Sequence, residues 1–148
     1  MVHIEITREF GYVIVTGIAS IFLTTYLGVK AGMARRKAGV PYPFMYATAE
    51  EAKNDHKKMI FNCHQRAHLV KYIGILSSIF IHELLVMGGL KYPILSSIGG
   101  VIYILGRLAF AWGYQTGDPS KRLRGAFGYI GIFILIGTSI ASAISLLT

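Results

Sequence analysis

Phe61-Asn62-Cys63-His64-Gln65-Arg66-Ala67-His68 stands where a polar, basic connector runs into an apolar segment. It carries an asparagine, a glutamine, an arginine and two histidines into what reads as a membrane-spanning helix. An arginine inside a bilayer costs a few kcal/mol even on the mildest scale, so it is rarely there without a partner or a task. The segment it enters is one of four apolar stretches. Residues 10–29 and 125–148 hold no charge, 92–117 hold only Arg107, and 73–90 hold only Glu83, with His82 beside it. A span needs about 20 mostly apolar residues. At 53% hydrophobic and 15% charged the chain is too apolar for an ordinary soluble domain. The expectation is an all-α integral membrane protein, an up-down four-helix bundle in one domain over 1–148. Its helices are expected at about 9–34, 59–87, 93–114 and 126–147.

The first apolar segment is preceded by one base and two acids, Arg8, Glu5 and Glu9. That is unlike the positive lead of a cleaved signal, so the segment is expected to remain as a span. The connector from Lys30 to Lys58 holds Lys30, Arg35, Arg36, Lys37, Lys53, Lys57 and Lys58. The third carries Lys121, Arg122 and Arg124, and the second only Lys91. The positive-inside rule then puts the first and third connectors in the cytosol and both termini in the lumen. The same placement accounts for the net charge of +8 without nucleic acid, since no aromatic platform is interleaved with the bases.

Within the first connector Pro41 and Pro43 hold Val40 and Tyr42 extended, and Thr48-Ala49-Glu50-Glu51 reads as a capping box. The single cysteine, Cys63, excludes an internal disulfide. His64 and His68 are four residues apart, but with no third ligand in view the expectation is no metal.

Helical spacing gathers the remaining polar groups. Asn62 and Arg66 share one face of the second helix. Tyr103, Arg107, Phe110 and Tyr114 share one face of the third. With Arg35 at the end of the first helix and Arg122 beyond the third, four cations stand at one membrane face. Taken singly, each base has an ordinary role as a solvated or snorkelling charge. Together they repel unless something anionic lies among them. The expected ligand is anionic, water-soluble and admitted from the cytosol. A small transporter is the weaker reading, as no broken span or internal repeat is apparent.

These motifs resemble a family. Phe61-Asn62-Cys63 with Gln65-Arg66-Ala67-His68, Ala34-Arg35-Arg36 before Val40-Pro41-Tyr42-Pro43, and Gly106-Arg107 leading to Gly113-Tyr114-Gln115-Thr116-Gly117-Asp118-Pro119-Ser120-Lys121-Arg122 look like the microsomal glutathione transferases. Those belong to the membrane-associated proteins in eicosanoid and glutathione metabolism. The resemblance implies a homotrimer binding glutathione, as co-substrate, between protomers. It implies glutathione contacts at Arg35, Arg66, His68, Arg107 and Tyr114, and thiol activation by Arg122 or, failing that, Arg124. The reaction would be glutathione transfer to hydrophobic electrophiles, extending to conjugation of the leukotriene C4 synthase type, and reduction of lipid hydroperoxides. The partners would be membrane lipid and those acceptors, and the site the endoplasmic reticulum membrane or the mitochondrial outer membrane. A non-catalytic lipid- or partner-binding protein of the same architecture is the alternative. It draws on one departure: Leu69, Val70 and Ile73 stand where the family carries Gln-Asn and a later Glu. Phe110 also replaces a tyrosine of several relatives.

Overall fold

The computed structural model describes residues 6–69 and 71–147, apart from the side chains at 69, 71–78 and 119. Every regular element among them is helical: α1 (Phe10–Ala38), α2 (Ala49–Asn54), α3 (His56–Leu69), α4 (Lys71–Gly89), α5 (Pro93–Gln115), a 3₁₀ helix (Pro119–Gly125) and α6 (Gly128–Leu147). Among the described residues three segments are long and apolar enough to cross a membrane. They are Phe10–Ala38, Pro93–Gln115 and Ser120–Leu147, the last joining the 3₁₀ turns to α6. The expected second span, 59–87, is described as α3 and α4, and residue 70 lies outside the described residues. The described side chains of α4 include the apolar stretch Ile79–Gly89.

Boundaries follow local chemistry. α1 continues past the expected residue 34 because Arg35, Arg36 and Lys37 suit a helix C-terminus, where partial negative charge gathers. It stops at Gly39, whose φ of 63° few other residues adopt and whose N–H donates to the Arg36 carbonyl. α3 starts three residues before the expected Met59, because Asp55 Oδ1 accepts from the Lys57 backbone N–H at 2.8 Å and caps it. The expected capping box is present on α2. Thr48 Oγ1 accepts from the Glu51 N–H, and Glu51 Oε2 accepts from the Thr48 N–H. α6 begins at 128 rather than 126 because the 3₁₀ helix, capped by Asp118 through the Ser120 N–H, takes up the residues before it.

α5 is the centre of the packing and touches α1, α3, α4, α6 and the 3₁₀ helix. Its approach to α6 is backbone against backbone. A methyl on Gly106 would collide with the Gly128 backbone, and one on Gly131 with the Gly99 carbonyl. Small residues permit such contact between helices in lipid, where no hydrophobic force separates helix from tail. Hydroxyls then bridge the helices: Ser96 Oγ donates to Thr138 Oγ1 at 3.1 Å, and Ser139 Oγ to the Leu84 carbonyl at 2.8 Å. Ser20 Oγ meets His82 Nε2 between α1 and α4, giving the polar group of the fourth helix a neighbour. Large apolar side chains such as Phe22 and Phe133 face outward, as lipid-facing positions do.

Candidate functional site: a cavity at the basic end of α3

Where α1, α3 and α5 converge, Ala67 and Ala111 are wholly buried and pack with Leu27, Cys63 and Tyr114. This seam brings Arg66 and Tyr114 to a cavity of about 440 Å³. Asn62 and Cys63 of α3 line it with them, and Tyr46, Ala47 and α2 close its far wall. Asn62 and Arg66 share one face, as their spacing implies. Arg66 is exposed, and Tyr114 is 7% exposed with its ring tilted against Phe110 at 5.6 Å.

The wall is held by two residues of the quoted motif. Asn62 forms a closed pair with Ala47: its Oδ1 accepts from the Ala47 N–H and its Nδ2 donates to the Ala47 carbonyl, both at 2.9 Å. Phe61 is fully buried against the connector, packing with Ala34, Ala38, Val40 and Ala47. Arg35 lies between the Phe61 and Tyr42 rings, its guanidinium carbon 4.9 and 4.5 Å from their centroids. It donates to the Phe44 carbonyl at 2.7 Å. Arg35 therefore braces the connector beside the cavity and does not line the cavity itself. Reading the motif for cations missed this bracing. The proline-rich Val40-Pro41-Tyr42-Pro43 stretch was its one visible sign, since such an extended loop leaves carbonyls that need donors.

The other expected residues lie elsewhere in the protomer. Arg107 donates from Nη2 to the Ala67 carbonyl at 3.1 Å, joining α5 to α3, and its guanidinium sits over Phe110 at 5.2 Å. It lines a second, mostly apolar cavity of about 320 Å³ with Phe80, Tyr103, Phe110 and Tyr129. His68 is half-buried, and its imidazole lies against Gly28 of α1. Arg122 and Arg124 are exposed on the 3₁₀ helix, and neither lines either cavity. The chain thus brings Arg66 and Tyr114 to one cavity and places Arg35, Arg107, Arg122 and Arg124 off it. Leu69, Val70 and Ile73, where the family pattern breaks, lie outside the described side chains.

At the basic end two carboxylates are held below their ordinary range. The Lys58 ammonium and the Thr48 backbone N–H hold the Glu51 carboxyl down at about 2. Asp118 is lowered by the Ser120 hydroxyl and N–H it accepts from. Both are capping residues at helix starts. Arg66 has no ion pair among the described residues, which leaves the wall of the 440 Å³ cavity cationic.

A profile of the MAPEG family matches residues 13–144. The match runs from the first turn of α1 to nearly the end of α6, so it takes in the whole helical assembly together with the Arg66–Tyr114 cavity. By that extent the chain belongs to the MAPEG family.

Proposed function

We propose that this protein is a membrane-bound glutathione transferase and glutathione-dependent lipid hydroperoxide peroxidase, similar in its motifs to microsomal glutathione S-transferase 3. The family includes glutathione transferases, related enzymes and non-catalytic members. The observation that carries the reading is the Arg66–Tyr114 cavity. It is cationic, has hydrogen-bonding walls, and opens at the basic end of three apolar helices. A soluble peptide with two carboxylates reaches it from water, and an apolar acceptor reaches it from the bilayer.

The reading extends to the assembly. The protomers form a homotrimer of four-helix bundles in the endoplasmic reticulum membrane, with the basic connectors in the cytosol. Arg66 and Tyr114 of one protomer hold glutathione. Arg35, His68 and Arg107 supply further contacts, some across the subunit boundary. Arg122, or Arg124 in its place, approaches the sulfur from a neighbour. A guanidinium beside the thiol favours the thiolate, which is the attacking species. In conjugation the sulfur forms a bond to an electrophilic carbon as that carbon's bond to its leaving group, or an epoxide C–O bond, breaks with the electron pair leaving on the departing atom. In reduction it attacks the terminal peroxide oxygen, the O–O bond breaks, the lipid leaves as its alcohol, and a second glutathione attacks the resulting sulfenic acid, forming the disulfide and releasing water.

The test is ultraviolet thiolate absorbance when glutathione is added to the detergent-purified protein. The wild type should develop it, and Arg122→Ala should abolish it. Arg66→Ala should weaken glutathione binding about 10- to 100-fold, the scale of one lost charge-assisted hydrogen bond. A non-catalytic reading draws on Arg122 and Arg124 lying off the protomer's cavity. It gains if no absorbance develops while lipid binding persists.

A further inference from the structure

On the face of α3 opposite Arg66 there is another concavity, between α1 and α3, of about 330 Å³. Two helical stripes face each other across it. Lys30 and Lys37 recur on α1 seven residues apart; Lys57 and His64 recur on α3 at the same interval, with His56 beside them. No carboxylate lines it. The nearest acid in sequence, Asp55, is engaged as the cap of α3 through the Lys57 N–H. His64 Nδ1 is buried with no hydrogen-bond partner among the described residues. Met33 and Ile60 complete the walls with apolar surface.

The groove also has a defined depth. Lys30 to Lys37 span about 10 Å along the helix at 1.5 Å per residue. The Lys30 ammonium lies 5.5 Å from the Tyr26 ring centroid, an aromatic of the kind found at the membrane boundary. Lys37 and Lys57 are exposed near the helix ends. The concavity therefore runs from the edge of the apolar span into water. Three ammonium groups along one groove repel each other unless an anion lies among them. Its size, against about 30 Å³ for a water, leaves room for a group of about ten heavy atoms.

We propose that the α1–α3 groove is a binding site for a phosphate-bearing anion, the headgroup of an anionic phospholipid or a soluble phosphomonoester. The site is separate from the glutathione cavity and does not depend on it. The lysines recognise the charge, and Met33 and Ile60 accept the first carbons beside the phosphate.

The test uses the full chain in its native oligomer, in nanodiscs of phosphatidylcholine with a minor share of phosphatidic acid. Native mass spectrometry reads which lipid stays bound. The wild type should retain phosphatidic acid over phosphatidylcholine. The triple variant Lys30→Gln, Lys37→Gln, Lys57→Gln should lose about a hundredfold of that retention, at the scale of a lysine's pull on an anionic surface. The same three positions changed to arginine should keep it. Should the glutamine triple fail to fold, Lys37→Gln and Lys57→Gln singly, both at exposed positions, should each lose about fivefold. Neutralising Arg36, Lys53 and Lys121 instead, at the same end of the molecule, should leave retention unchanged. Glycerol 3-phosphate distinguishes the sources: displacement at millimolar concentration assigns a soluble phosphate, and resistance assigns the lipid. Equal loss in the control triple, no preference for phosphatidic acid, or displacement by glutathione would each overturn the proposal.

Discussion

Arg35 is held by its own connector. At the end of α1 its guanidinium lies over the Tyr42 and Phe61 rings and donates to the Phe44 carbonyl. Stacking and forked donation are properties of a planar guanidinium that an ammonium lacks. Arg35→Lys, which conserves charge, should therefore destabilise the protein by about 1–3 kcal/mol, the range for a hydrogen bond from a charged group. Amide exchange should quicken over residues 40–47, with a lower unfolding temperature. Unchanged exchange there would mean that charge alone matters at this position. Arg66 is exposed on the cavity wall and has no ion pair among the described residues. Spacing alone does not separate the two arginines. The difference lies in which carbonyls and rings the folded connector brings to Arg35, and that is a tertiary property.

At the scale of elements, α2 is a single capped turn and a half whose caps are ionic. The Glu51 carboxyl sits at about 2 because Lys58 of α3 and the Thr48 backbone both bond its charged form. A carboxyl with a lowered folded-state pKa contributes stability that is present above its ordinary value of 4.5 and fades as pH falls through the folded value. Acidifying from pH 5 toward pH 2 should release the Thr48–Glu51 box and the α2–α3 tie. Amide exchange over Ala49–Asn54 should rise across that window, and Glu51→Gln should flatten the dependence. Much of this was legible beforehand. A threonine three residues before a glutamate announces a cap, and Pro93 a helix start. The α5–α6 seam was less legible, because glycines in an apolar run give no periodic signal. Only the facing of Gly99 and Gly106 by Gly131 and Gly128 gives them meaning. The start of α3 was missed for a similar reason: Asp55 reads as one more charge in a charged run until its carboxylate is seen on the Lys57 N–H.

At the scale of the molecule, the membrane character and all-helical build followed from uncharged runs of bilayer length, and the family profile over residues 13–144 agrees. The gathering of cations was legible only as a shared end of the molecule. Within one protomer Arg66 and Arg107 line different cavities, and Arg122 lies on neither. If glutathione needs both Arg66 and Arg122, the site must be shared between protomers, and that has a measurable consequence. At glutathione concentrations well below the weakened affinity of Arg66→Ala, that variant and Arg122→Ala should each be nearly inactive alone. Co-expressed in equal amounts, they should recover activity, because some boundaries pair an intact Arg66 with an intact Arg122 from the next subunit. Random mixing in a cyclic assembly restores about a quarter of the sites. A site contained within one protomer cannot be rebuilt this way, since every chain carries one lesion. Turnover per chain near a quarter of wild type therefore assigns the site to the boundary. Activity no higher than that of the separate variants returns both arginines to a single chain.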